Sequence, residues 1–243
     1  MNATEFSDQF DVLYNNIASN QAPGLTEYEK SVFLTKAQYE ILKNYFTPEG
    51  NKYKTGFDGN AKRQADFSSL IRVANLVSKT LNPQIDNRSK VFEFNNDIWL
   101  VINEVIRDSQ GKQYQVIPIT YDEYVRLMSK PYKYPCKNQA WRLMSGTSAD
   151  TAKYVEIISN ISVINSYVVR YLKKPYPIIT VDLENTGVSI EGQVKPLDTT
   201  GNDSNSELPE ELHQEILQRA VELAKVAYTG EDKTIVELGQ RSE

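Results

Sequence analysis

Reactive side chains are scarce in this chain of 243 residues, which holds one histidine, His213, and one cysteine, Cys136. His213 falls on the polar side of an acidic helical pattern near the C-terminus, where a histidine is more often a surface group than a general base. Cys136 has no neighbouring histidine in sequence to take its proton, as a nucleophilic thiol requires, and reads as a half-buried thiol. No HExxH, CxxC or clustered His/Cys spacing offers a transition-metal site. Gly111-Lys112 lacks the preceding glycine and following Ser/Thr of a phosphate loop, and neither GxSxG nor GxGxxG occurs. The inventory names no catalytic residue, metal or cofactor.

Two constellations remain. Asp182 and Glu184 close an apolar run, and two acids at that spacing share one face of an extended strand, as in Mg²⁺-holding nucleases. With no lysine or third acid close in sequence, solvated turn residues explain the pair better. The second constellation is residues 130–142, in which Lys130, Lys133, Lys137 and Arg142 are interleaved with Tyr132, Tyr134 and Trp141. Stacking aromatics among cations can bind single-stranded nucleic acid. Pro131 and Pro135 stiffen the stretch into an extended loop suited to another protein, and Trp, Tyr and Arg dominate protein interfaces. Protein contact through Tyr132, Lys133, Tyr134, Trp141 and Arg142 is the favoured reading; a metal-dependent nuclease and a small nucleic-acid-binding regulatory module are the alternatives.

Charge weighs against nucleic acid. The net charge is −5, and residues 183–243 carry −8 while the rest carries +3. Affinity for phosphates rests on basic side chains displacing counterions, so the chain is not a general nucleic-acid binder. Fifteen tyrosines suit both β-rich packing and interfaces. A single cysteine excludes an internal disulfide. The N-terminus shows no basic segment followed by an apolar run, so no signal peptide is expected, and no stretch approaches the ~20 apolar residues of a membrane span.

The elements that would position these residues fall into two classes. Residues 1–90 read as helical. Phe6, Phe10, Leu13 and Ile17 share a helix face, and Pro23-Gly24 ends it. Thr26 to Glu29 has capping-box form, and Thr35 to Gln38 repeats it, which predicts a short helix over 27–33, a turn, and a second helix over 36–46. Ala65, Leu70, Ile71, Ala74 and Leu76 predict a further helix over 61–79. Residues 91–195 read as a mostly antiparallel β domain, with strands at 91–94, 98–106, 113–119, 140–144, 154–158, 166–172 and 178–181. Asp108 to Gly111 supplies a hairpin turn, and Thr120 to Glu123 caps a short helix running to Ser129. Residues 196–206 read as a flexible linker. Leu212, Ile216, Ala220, Leu223 and Ala227 mark an amphipathic helix over 207–230, with Pro209 in its first turn and Gly230 at its end. Residues 231–243 read as an exposed tail.

The blocks Glu27 to Gln38 (EYEKSVFLTKAQ), Pro118 to Tyr124 (PITYDEY), Lys130-Pro131-Tyr132, Ala140 to Leu143 (AWRL) and Leu208 to Leu217 (LPEELHQEIL) resemble segments of structural proteins of crAss-like and related short-tailed Bacteroidetes phages. They occur in one order and span most of the chain. The family is that of head–tail adaptor or ring proteins, similar to tail tubular proteins. The resemblance implies an α+β subunit: a helical bundle from the N-terminal helices and the C-terminal helix, with the β domain between. It implies a virion protein of the neck or tail, assembled in the bacterial cytoplasm, that forms a ring of twelve copies. The implied partners are the chain itself, the portal protein and neighbouring ring or tail proteins. DNA would pass through the lumen without specific binding, and neither membrane nor cofactor is involved. An acidic final quarter lining that lumen would keep DNA sliding.

Overall fold

A computed structural model describes residues 1–17, 24–47, 57, 61–83, 85–130, 134–135, 138–147, 153–161, 163–197 and 205–229. It contains helices α1 (Ala3–Ile17), α2 (Glu27–Phe46), α3 (Ala61–Asp66), α4 (Tyr121–Met128) and α5 (Glu210–Thr229), and strands β1 (Ile71–Leu76), β2 (Lys90–Phe94), β3 (Ile98–Asp108), β4 (Gln113–Pro118), β5 (Gln139–Thr147), β6 (Lys153–Ser159) and β7 (Ile164–Lys173). The fold is α+β. Contacts divide it into two units: Met1–Leu70 with Pro175–Glu243, and Ile71–Lys174. The division lies at 70/71 and 174/175, not at the 90/91 and 195/196 expected from composition.

In the first unit α1, α2 and α5 pack on one another. Phe6, Phe10 and Tyr14 form the buried stripe of α1; Tyr14, and not the partly exposed Leu13, completes it. α5 buries Leu212, Ile216, Leu217, Ala220, Val221 and Ala224, while the expected Ala227 is exposed. Its 20 residues span about 30 Å. α2 is one continuous helix. Thr26 does form a capping box with Glu29, but Thr35 lies mid-helix and its hydroxyl donates to the carbonyl of Ile178. Thr35 therefore makes a tertiary hydrogen bond and caps no helix, so the expected break is absent.

That bond belongs to a row. Ser31 Oγ accepts from the Thr180 amide at 2.9 Å, Thr180 Oγ1 donates to the Glu27 carboxylate at 2.8 Å, and Gln38 Nε2 donates to the Tyr176 carbonyl at 3.4 Å. The segment 176–180, expected to contain a strand at 178–181, is therefore extended but pairs with side chains of α2. Its alternate polar groups meet residues three and four apart on the helix, and Ile178 and Ile179 are buried. Asn205, expected in a flexible linker, is wholly buried and donates to the Ile179 carbonyl. A turn through Glu191 and Gly192, both at positive φ, bridges Ile190 to Gln193, the geometry of a primed hairpin turn.

The second unit is one seven-stranded sheet in the order β1-β7-β3-β4-β5-β6-β2. Every pairing is antiparallel except β4 with β5. Lys79, just past β1, bridges Val91 of β2, so the sheet curls until its two edge strands meet. All seven strands contribute to one core, including Leu76, Phe92, Ile106, Val116, Ala140, Ile157 and Tyr167. The β3–β4 hairpin forms where the turn residues place it, with Gly111 at φ 80° and its amide donating to the Asp108 carbonyl.

The helix expected over 61–79 is instead α3, a turn and β1. Ala74 and Leu76 point into the sheet core two residues apart, while Val73 is 60% exposed. β1 pairs along β7 from Ile71 to Leu76, so its backbone satisfies an edge that β7 would otherwise leave open. Tertiary pairing overrides a pattern that local spacing assigns to helix.

Candidate functional site

Of the five contact residues expected from sequence, Tyr132 and Lys133 lie outside the described residues, as does Cys136. The structure brings Tyr134 and Trp141 together and turns Arg142 away. β5 explains the split, because successive side chains on a strand face opposite sides. Ala140 faces the sheet core. Trp141 and Leu143 face out, under α4, in a second cluster with Ile158, Tyr124, Leu127 and Tyr134. Trp141 is only 8% exposed, and its ring centroid lies 6.3 Å from that of Tyr134.

A buried polar cluster holds this outer layer in place. The Glu156 carboxylate on β6, fully buried, accepts from the amides of Ile85 and Asp86 and from Ser89 Oγ at 2.7 Å. The loop so anchored carries Asp86, which accepts from Arg88 and from Tyr124 Oη at 3.1 Å. The Arg88 guanidinium in turn sits 4.1 Å from the Tyr134 ring centre. Burial pushes the Asp86 pKa up, but the hydrogen bonds from Arg88 and Tyr124 outweigh it and leave that carboxyl below the ordinary value. Strand, loop, α4 and Tyr134 thus form one connected set. Nothing in the sequence spacing signals it, because Glu156 and Asp86 are seventy residues apart.

Arg142 faces the other side of β5. Its Nε lies 2.9 Å from Glu104 Oε2, an ion pair with the two side chains 14% and 4% exposed. Tyr167 Oη donates to the same carboxylate. Burial raises the Glu104 pKa, and Arg142 and Tyr167 only partly offset it. In the single chain, Trp141 and Arg142 are both committed inside the unit.

Asp182 and Glu184 sit in a turn, where Glu184 N donates to Asp182 Oδ1 and Lys195 pairs with Glu184 at 2.7 Å. Among the described residues no group of three His, Cys, Asp or Glu side chains is placed to hold a metal ion. None of their helices is long and apolar enough to cross a membrane. His213, expected at the surface, is fully buried. Its Nε2–H donates to the Leu208 carbonyl at 3.0 Å, and its Nδ1 faces the Met1 ammonium at 3.1 Å. Burial and that ammonium both lower its pKa, so the ring is held neutral. The periodicity missed this because α1 covers the flank of α5 that spacing assigns to solvent.

The buried polar groups Glu156, Asp86, Glu104 and His213 each hold one part of the chain on another. A family model described as phage tail ring protein 3/4 matches residues 1–234. The chain belongs to that family. It is 52% identical to Ring protein 4/5 of Bacteroides phage crAss001 over 247 residues, covering 100% of both chains. It is 32% identical to Ring protein 3 of the same phage over 237 residues, covering 94% of this chain and 97% of that protein. A crAss-like phage ring protein is a structural component of the virion that assembles with other ring or tail proteins.

Proposed function

We propose that this ring protein closes into a ring of twelve copies in the head–tail connector below the portal, joins portal to tail, and leaves a lumen through which DNA passes without specific binding. The observation that carries this reading is full-length similarity to two differently named ring proteins of one phage, at 52% and 32% identity. Related subunits in one virion are what a stack of successive rings requires, and the higher identity favours the level of Ring protein 4/5 over that of Ring protein 3. A closed ring also needs two unlike lateral faces on each copy, and a helical unit plus a curled sheet supply unlike surfaces. The segment 130–142 is the proposed contact segment, with Tyr132, Lys133 and Tyr134 presenting it and Trp141 bracing Tyr134 from β5, while Arg142 holds the sheet beneath through Glu104. The acidic final quarter is proposed to face the lumen, where it repels phosphates. The subunits would be made in the bacterial cytoplasm and carried in the virion.

Electron microscopy of the purified chain mixed with its portal tests this. Closed twelve-fold rings seated coaxially on the portal are expected; open filaments, or no association with portal-bearing particles, would overturn it.

A further inference from the structure

The outward side of α2 bears two neighbouring grooves separated by Tyr28 and Val32. The larger, about 360 Å³, is lined by Tyr14 of α1, Leu25 and Phe33, and by Ala224 and Ala227 of α5. The smaller, about 320 Å³, continues along α2 past Lys36 and Tyr39 to Ile190. Tyr28 and Val32 are 37% and 36% exposed, so large apolar groups stand in water on the very helix that organises the unit.

α5 runs antiparallel to α2. Tyr45 meets Glu215, Glu40 meets Arg219, and Phe33 shares the larger groove with Ala224. α5 therefore ends at Thr229, beside the start of α2 and the mouth of the groove, and it points away from the groove's length. The fourteen residues that follow are polar except for Ile235, Val236 and Leu238, within Thr234-Ile235-Val236-Glu237-Leu238. Entering the groove of its own copy would require the chain to reverse within residues 230–233. Continuing onward requires no reversal, and the nine residues from Gly230 to Leu238 span at most about 30–32 Å, so the copy they would meet is the one next to this chain.

We infer that residues 234–238 of one copy dock in the α2 groove of the next copy around the ring. This rests on the ring reading and adds an arm-and-groove contact to it: the arm and the groove are the two unlike partners that a heterologous, closing interface needs. Residues 230–243 hold four acids and two bases, and the grooves are flanked by Glu29, Lys36 and Glu191, so charge does not carry the contact. Burial of apolar side chains does, and the binding is only weakly sensitive to salt.

A fluorescein-labelled peptide of residues 230–243, titrated into dilute full-length chain and followed by anisotropy, tests the inference without a ring. Saturable binding is expected. It should weaken at least about tenfold in Val32→Glu, where a carboxylate replaces an apolar contact, and be kept in Val12→Glu, at an exposed site of α1 away from the groove. Circular dichroism checks that both variants fold. No saturable binding, or equal binding by Val32→Glu, would overturn the inference. Mass photometry of the wild-type chain with portal reads ring closure separately, so rings without peptide binding would remove the arm alone.

Discussion

Replacing Arg142 separates two roles the sequence leaves confounded, a surface contact and an internal brace. In the structure its guanidinium is the cation beside Glu104, a carboxylate only 4% exposed that also accepts from Tyr167. Arg142→Leu keeps an extended apolar stem on β5 but leaves that carboxylate buried without a counter-charge. Breaking one side of a buried pair costs about 3–5 kcal/mol, a large share of the ~5–15 kcal/mol that holds a domain together. For a chain of this length it corresponds to a loss of about 6–20 °C in Tm, taking ~2–4 °C per kcal/mol. The loss has a definite pH dependence. The folded pKa of Glu104 is already raised, and removing Arg142 raises it further, so the folded state holds the proton more tightly than the unfolded one. Stability is then retained below the unfolded value of about 4.3 and falls as pH rises toward the folded value. Urea unfolding followed by far-UV circular dichroism should show the variant near wild type at about pH 4.5 and far below it at about pH 7.5. The double variant Arg142→Leu with Glu104→Leu should recover most of the loss. A single variant as stable as wild type at neutral pH, or a double variant no better than the single, would show that the pair does not brace the sheet.

His213 gives a dependence at higher pH. Its folded pKa is depressed by burial and by the Met1 ammonium, so its contribution is full above the unfolded value of about 6.5 and is lost as pH falls below it. The urea midpoint should drop between about pH 7.5 and 5.5, and His213→Gln should flatten that slope. Ser31→Ala removes the acceptor for the Thr180 amide and should cost about 1–3 kcal/mol, with faster proteolysis at 176–182 than elsewhere; cleavage rates unchanged from wild type would detach that segment from α2. Thr26→Ala should cost about 1 kcal/mol through loss of its cap, whereas Thr35→Ala should leave helix content by circular dichroism unchanged. Deleting residues 231–243 should leave a folded subunit that closes rings poorly by mass photometry, and unimpaired closure would remove the arm from the account.

The parts of the fold that local chemistry dictates are readable from residues alone. The capping boxes at Thr26 and Thr120, the turn at Gly111, and the strands with β-branched runs all depend on neighbours in sequence. What escapes are groups whose partners are distant. Thr35 looks like a cap because its true partner, Ile178, is 143 residues away. Ile71–Leu76 looks helical because β7, which it needs in order to be a strand, lies nearly a hundred residues on. His213 looks exposed because only the arrival of α1 buries it. The segment 130–142, proposed to make contacts, is the mixed case. Its composition marks it as unusual, but alternation along β5 sends Trp141 and Arg142 to opposite faces, and Glu156, which anchors the loop behind it, carries no sequence signal.

The proposed twelve-fold closure is read most directly from its mass. Twelve copies of a 27.7 kDa chain make a particle of about 330 kDa, which mass photometry of the chain incubated with its portal would resolve from the free subunit. A discrete species of that mass added to the portal is the expected result. A single added subunit per portal particle, or a continuous ladder of masses with no closed limit, would contradict the account.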